Sequence, residues 1–489
     1  MQVLFQSSTE GSVPGLGIIP SVIDAFSNEE KTVPHMGWNS VHLVDPQCSA
    51  DQGLLDEAHH YYFVHSYRAT YDPEREPGAA QWVHSVAQYG REIFVATVQR
   101  DNVFGCQFHP EKSGDAGLRL LDTWLREPGL PRPQSLPSQR IPFPPRPKDG
   151  LTKRIIACMD VRTNDQGDLV VTKGDQYDVR EKNENATAIA GAVRNLGKPV
   201  ALAARYYAAG ADELALLNIT SFRHSPLRDQ PMLAVVRAAA ATVFVPLTIG
   251  GGIRDTVDPD GTPRSALEVA GAYFRAGADK VSIGSEAVYA VERLRATSVA
   301  DGSSAIESIA HAYGRQAVVV SIDPRRVYVS DDDVAALEGP RKSEIVRGNA
   351  AAEGEEEGNK AWWYQCTVKG GREARDLSVV ELAQGVEVLG AGEILLNSID
   401  RDGTGRGFDL DLVNLVRRNV KIPVVASSGA GNVSHFVDVF EKTGVEAALA
   451  AGIFHREEVQ IDEVKEALTR AGVQARRNAS ELPSRTAHS

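Results

Sequence analysis

Past residue 150 the chain alternates short β-rich apolar runs with longer stretches in which apolar positions recur at helical spacing. IIACMDV, LALLNIT, VFVPLTIGGG, ADKVSIG, AVVVSID, GEILLNSID, IPVVASSGAG and EAALAAG read as eight strands, with VALAARYYAAG, PMLAVVRAAAA and LSVVELAQGVEVLG as helices between them. Apolar strands separated by helices mark parallel βα units. Eight such units close naturally into an α/β barrel, the (β/α)8 or TIM fold, and a doubly wound open sheet is the alternative. The second half of this region repeats the first: ADELALLNIT pairs with AGEILLNSID, VPLTIGGGI with IPVVASSGAG, and IIACMDV with VVVSIDP. Two fused half-barrels explain that repeat, and an open sheet does not.

Ahead of the barrel the pattern differs. WNSVHLV, HYYFVHSYRAT, REIFVATVQR and NVFGCQF read as short strands before the helix-like GDAGLRLLDTWLRE, so residues 1–126 form a mixed α/β fragment. Residues 127–150, EPGLPRPQSLPSQRIPFPPRPKDG, are rich in proline, which removes backbone donors and forces extended conformations, as a linker requires. The barrel then occupies residues 151–475. Within it a charged, Gly/Ala-rich stretch at about 327–360 predicts a solvated insertion after the fifth strand, and residues 476–489 read as a disordered tail.

Composition narrows the function. The chain has 489 residues, 42% hydrophobic and 24% charged, ordinary for a globular protein with a sizeable core. Its net charge of −13 argues against a general nucleic-acid binder while leaving room for a local phosphate pocket. The four cysteines, Cys48, Cys106, Cys158 and Cys366, show no paired spacing, so neither a zinc site nor a disulfide scaffold is expected, and a reducing cytoplasm fits. The N-terminus lacks a secretory pattern and no apolar run is long enough to span a bilayer, which predicts no membrane partner. No cluster of metal-ligand spacing appears, and no cofactor is expected.

Four constellations carry candidate chemistry. Asp160 closes IIACMD and Asp323 closes VVVSID, so in a closed barrel both carboxylates stand at the carboxyl ends of strands, where barrels do their chemistry. A single aspartate there could equally cap a helix or pair with an arginine; two related by the repeat point to acid–base work. Gly250, Gly251 and Gly252 with Gly284 and Ser285 form one phosphate-binding set, where backbone N–H groups approach an anion closely. Asp402, Gly403, Thr404, Ser428, Gly429, Ala451 and Gly452 form a second, and the two sets together predict a substrate with a phosphate at each end. Arg154, Glu213, Lys280 and Glu393 precede or open strands one, two, four and six, so they should meet near the bottom of the barrel, as a salt-bridged plug or as something functional. His109 and Glu111 stand two residues apart at a strand end, where a carboxylate can orient an imidazole for general-base work. Cys106, three residues earlier on the same predicted strand, reads as a buried small apolar residue.

In the first domain GWN (37–39), YYFVHSY (61–67), YG (89–90) and QFHPEKS (107–113), in that order, resemble the C-terminal half of a class I glutamine amidotransferase, specifically the glutaminase of imidazole glycerol phosphate synthase. That family's nucleophile is a cysteine in a motif of the form G-x-C-x-G-M-Q, and this sequence resumes at Met1-Gln2. The resemblance therefore implies an N-terminally truncated glutaminase without its nucleophile, in which His109 and Glu111 match the base and its orienter. The polypeptide is expected to use ammonia and not to hydrolyse glutamine. Through ACMDVR, VVTKG, TIGGGIRD, ADKVSIGSEAV, AVVVSIDPRRV, GEILLNSIDRDGTGRG, ASSGAG and AAGIFH, residues 151–475 resemble the cyclase of the same family. The resemblance implies that Asp160 and Asp323 are the acid–base pair, that Lys173 contacts substrate, and that Arg154, Glu213, Lys280 and Glu393 gate ammonia into the barrel. It points to the fused, bifunctional form of fungi and plants, a lyase of histidine biosynthesis acting on a bisphosphorylated small molecule. A monomer with an intramolecular domain interface is expected. A related half-barrel sugar isomerase is the nearest rival, and it has no use for an amidotransferase; a non-catalytic binding module is the other.

Overall fold

A computed structural model describes residues 1–44, 54–126, 151–163, 169–172, 199–218, 231–258, 260–336, 340–348 and 360–476. The proline-rich linker, Lys173 and the predicted tail beyond Arg476 fall outside them. The chain divides into two compact units: residues 1–154 with 243–245 and Gly472 onward, and residues 155–242 with 246–471.

In the second unit eight parallel strands follow one another around a closed barrel: Arg154–Thr163, Glu213–Asn218, Leu247–Gly250, Lys280–Ile283, Val318–Ile322, Glu393–Asn397, Val424–Ser427 and Ala447–Ala450. The last pairs with the first, so there is no open edge, and the doubly wound alternative is excluded. Side chains alternate across a strand, and this fixes what fills the barrel. Ile156, Cys158, Ala215, Val319, Leu395, Val425, Ala447 and Leu449 pack as one buried interior cluster. Arg154 and Asp160 share the parity of Ile156 and Cys158, so one strand presents a cation at its start and a carboxylate near its end, about 20 Å apart along the strand. Helices Pro199–Ala208, Pro231–Ala240 and Val379–Leu389 lie where helical spacing predicts. The last begins with a capping box, Ser378 and Glu381 each satisfying the other's backbone N–H.

Two sequence expectations need correction here. The first strand does not end on Asp160: it runs on to Thr163 and turns back in an antiparallel pairing with Leu169–Thr172, with Asp160 opposite Thr172. Nor is 327–360 a solvated insertion throughout. After Asp323 the chain forms a second strand, Pro324–Val329, paired antiparallel with Ala361–Val368, which in turn pairs with Glu373–Ser378. Within 327–360, Val327–Val329 belong to the sheet and Glu344 is buried, while Tyr328 and residues 330–333 are exposed.

In the first unit one sheet runs Val13–Pro14, Phe5–Ser8, Ile19–Ala25, Tyr67–Ala69, and another Val103–Cys106, Glu92–Arg100, Val83–Tyr89, His42–Leu43, with His35–Ser40 paired to His60–His65. Helix Gly114–Arg126 packs its apolar face through Ala116 and Leu120 into a core with Tyr61, Phe63, Phe94 and Phe108. The strands at Phe5–Ser8, Ile19–Ala25 and Val83–Tyr89 escape the sequence reading, the last because HSVAQY interleaves polar residues that the fold buries. Among the buried rings, His35 Nδ1 and His65 Nε2 share a 2.9 Å hydrogen bond, and burial pushes His65 down to about 3.

Candidate functional site

A cavity of about 380 Å³ opens at the carboxyl ends of the barrel strands. The loops after strands six, seven and eight build it, with Asp402, Gly403, Thr404, Gly405, Ser428, Gly429, Gly431, Ala451 and Gly452 on its wall and Asp160 joining them from strand one. All members of the second predicted phosphate set therefore converge. They can do so because loops six and seven touch backbone to backbone: Gly407 N–H donates to Gly429 O at 2.8 Å. A Cβ on Gly429, at φ +94°, would stand 2.2 Å from the Gly407 oxygen, and one on Gly431 2.3 Å from that of Gly405. Ser428 holds φ 73°, a left-handed backbone that side-chain-bearing residues rarely take, as strained positions at ligand sites often do.

Gly251, Gly252, Gly284 and Ser285 do not line this cavity. Gly251 and Gly252 follow strand three with φ +94° and +75°, and Gly284 caps helix Ser285–Thr297 after strand four. Their backbone geometry suits an anion, but the Ser285 hydroxyl already accepts the Lys369 N–H at 2.9 Å.

Asp323 stands just past strand five, half-buried. Asn397, inward-facing at the end of strand six, donates to Asp323 Oδ1 at 2.8 Å and also contacts Ser321 Oγ at 3.0 Å. Burial raises the Asp323 pKa above the ordinary carboxylate value; hydrogen bonds from Asn397 and Ser321 oppose that rise, and the charge of Asp402 adds to it. The surroundings of Asp160 differ, since its strand-two neighbour in register is Leu217. Strand two has one residue more than strand six, and Asn218 takes the outward parity, where it hydrogen-bonds Tyr273. The repeat is thus symmetric in its carboxylates and asymmetric in what surrounds them.

Sequence reasoning missed Asn397 and also the clamp beneath it. Arg326, buried and stacked 4.1 Å over Trp362, donates to Asp409 Oδ2 at 2.9 Å, while its backbone N–H reaches Asp400 at 2.8 Å. Asp409 also accepts from Tyr364 Oη at 2.8 Å and caps helix Leu410–Asn419. The clamp ties the chain that leaves Asp323 to the loop bearing Asp402, Gly403 and Thr404. An aspartate directly before the helical LDLVNLV was the available signal.

At the opposite end of the strands, Arg154, Glu213, Lys280 and Glu393 are each only 1–2% exposed. Lys280 Nζ sits 2.6 Å from Glu213 and 2.6 Å from Glu393, and Thr248 donates to Glu213 at 2.5 Å. The structure thus brings Glu213, Lys280 and Glu393 into contact, and Arg154 is buried at the start of strand one.

In the first unit His109 Nδ1 lies 2.9 Å from Glu111 Oε1, as the spacing predicts. Burial works to raise Glu111, but the hydrogen bond and charge of His109 carry it below its usual value. The strand ends at Cys106, not His109, which instead precedes a single turn at Pro110–Lys112. Cys106 is half-buried and not fully enclosed, and its burial pushes the thiol up to about 11.

A closed parallel barrel whose strand ends carry two unequal carboxylates beside a glycine-walled cavity is the architecture of a (β/α)8-barrel enzyme. Residues 154–460 match the family described as "Histidine biosynthesis protein", and residues 1–126 match "Glutamine amidotransferase class-I". The chain is 54% identical over 486 residues to the imidazole glycerol phosphate synthase hisHF of Emericella nidulans, covering 98% of this chain and 84% of that protein. It is 53% identical over 487 residues to the chloroplastic hisHF of Arabidopsis thaliana, covering 97% and 76%. The HisF subunit of Natronomonas pharaonis is 39% identical over 326 residues, 67% of this chain and 99% of that subunit. The chain belongs to the imidazole glycerol phosphate synthase family of histidine biosynthesis, in the form that fuses the amidotransferase to the cyclase. Among the described residues no helix is long and apolar enough to cross a membrane.

Proposed function

We propose that the barrel converts the phosphoribulosyl formimino aminoimidazole carboxamide ribonucleotide, with ammonia, into imidazole glycerol phosphate and aminoimidazole carboxamide ribonucleotide. The observation that carries this reading is the cavity, where Asp160 shares one wall with the glycine loops suited to a terminal phosphate. Adding ammonia to a carbonyl carbon and expelling an amine requires one group to take protons and another to give them. The different surroundings of Asp160 and Asp323, the latter raised by burial, suit that division. Lys173 would contact substrate from the first loop, and Gly251, Gly252, Gly284 and Ser285 would take the second phosphate. Arg154, Glu213, Lys280 and Glu393 would gate ammonia, a role that a buried charge layer of little stabilising value leaves open. No metal or organic cofactor enters this scheme.

His109 and Glu111 have the geometry of a base and its orienter. Cys106, the one cysteine among the described residues of their unit, is a poor nucleophile, because burial keeps it a thiol at neutral pH. Residues 1–489 alone are therefore expected to turn over with ammonia and not with glutamine. Assaying one purified preparation with each nitrogen source tests both halves. Turnover with ammonium salt alone is the expected result; no turnover with either source sinks the cyclase assignment, and glutamine hydrolysis sinks the ammonia-only reading.

A further inference from the structure

The cavity at the carboxyl ends of the strands has a charge problem. Three carboxylate residues lie on its wall, Asp160, Asp402 and Glu458, and among its described lining residues Arg456 is the lone cation. Among the described residues, a phosphate dianion entering it meets backbone N–H groups and three acidic side chains. Arg456 is held in a forked pair with Glu458, Nε to Oε1 at 2.5 Å and Nη2 to Oε2 at 2.7 Å. Its remaining nitrogen, Nη1, lies 2.8 Å from the point where a Cβ on Gly452 would stand, so the guanidinium rests against the backbone that closes the phosphate loop after strand eight. The neighbouring Glu457 is engaged by Arg205 at 2.6 Å and does not compete.

We propose that Arg456 is a substrate-binding residue of this site, a guanidinium parked on Glu458 that turns its free donors to the terminal phosphate of the substrate, with Glu458 setting how much of its charge the phosphate receives. The inference rests on the proposed phosphate role of the cavity. A planar guanidinium can keep one edge on a carboxylate and present another to a phosphate oxygen, which a lysine in that place could not do. Removing Arg456 takes from Glu458 the guanidinium it pairs with on the cavity wall. Removing the charge of Glu458 weakens its hold on Arg456.

The test is a cycle of Arg456→Met, Glu458→Gln and the double variant, assayed with ammonia as nitrogen source, with inorganic phosphate as competitive inhibitor. Arg456→Met should raise KM for the bisphosphorylated substrate and weaken phosphate inhibition about tenfold, the effect falling on KM more than on kcat. Glu458→Gln should shift both in the opposite direction, and the double variant should lie between. A pair that only braces the surface would alter the unfolding temperature and leave KM and phosphate inhibition unchanged in all three, which overturns the proposal. If phosphate fails to inhibit the unaltered protein, the phosphate reading of the cavity falls with it; if phosphate inhibits the unaltered protein and Arg456→Met equally, only the role of Arg456 falls.

Discussion

Replacing Asn397 by alanine removes the side chain that donates to Asp323 Oδ1 at 2.8 Å. That hydrogen bond favours the charged carboxylate and opposes the rise that burial imposes. A hydrogen bond to a charged group is worth about 1.5–3 kcal/mol. Each pH unit of a titration corresponds to about 1.36 kcal/mol, so the full loss would move Asp323 by about one to two units. Asp323 is half-buried and water can replace part of the donor, so the lower end applies. The acid limb of the pH profile of kcat/KM should therefore move about one unit toward higher pH if Asp323 must ionise in the free enzyme. The assay needs ammonia as nitrogen source with the concentration of free NH3 held constant, since ammonia itself titrates. Stability should follow the same sign. A carboxyl with a raised folded pKa binds its proton more tightly in the folded chain, so its contribution is most favourable below the unfolded value of about 3.9 and declines as pH rises through the folded value. The variant should extend that decline to higher pH. Asn218→Ala is the control, because Asn218 hydrogen-bonds Tyr273. An acid limb unmoved in Asn397→Ala, or moved equally in Asn218→Ala, would refute the asymmetry argument.

Lys280→Met removes the cation that stands between two buried carboxylates, Glu213 and Glu393, and should cost about 3–5 kcal/mol in chemical denaturation. If the layer gates ammonia, turnover with external ammonia should survive in that variant, while any glutamine-driven turnover of the parent protein loses its coupling; unchanged coupling counts against a gate. Asp409→Ala takes from buried Arg326 the carboxylate it pairs with and should cost a similar amount, about 3–5 kcal/mol, with a higher KM for substrate because the loop bearing Asp402 to Thr404 loses its anchor. Asp160→Asn should lower kcat by about a hundredfold or more while the unfolding temperature stays near that of the parent, and a fall below tenfold would remove Asp160 from the acid–base pair.

What could be read from the sequence was what repeats at short range. Apolar runs at βα spacing showed the barrel, and the half-barrel repeat located both aspartates and the glycine loops, since each lies at a fixed offset from its strand. The pairing of Pro324–Val329 with Ala361–Val368 was hidden because the two strands are separated by a long charged segment with no tight turn between them. Asn397 was hidden for a subtler reason. ELALLN and EILLN look like one motif, yet the extra residue in the first flips the parity of its asparagine, and only the register tells which one faces the carboxylates. Arg456 and Glu458 gave no signal, because charges just past a short helical turn read as solvated surface until the cavity places them beside Gly452.

The inward parity that joins these features also keeps them apart. Glu393 and Asn397 share one face of strand six, four residues or about 13 Å from each other. Ile156, Val319, Leu395, Val425 and Leu449 pack between the two ends, with Thr248 bonded to Glu213 at one end and Ser321 to Asn397 at the other. Substitutions farther apart than about 7–10 Å, without shared partners, add to within about 0.5 kcal/mol. The double variant Lys280→Met with Asn397→Ala should accordingly lose the sum of the two single losses in stability, and its acid limb should match that of Asn397→Ala alone. A coupling beyond about 1 kcal/mol, or a limb that moves with Lys280, would mean that the bottom of the barrel and its catalytic end act as one electrostatic unit, and the assignment of separate tasks to the two ends would have to be withdrawn.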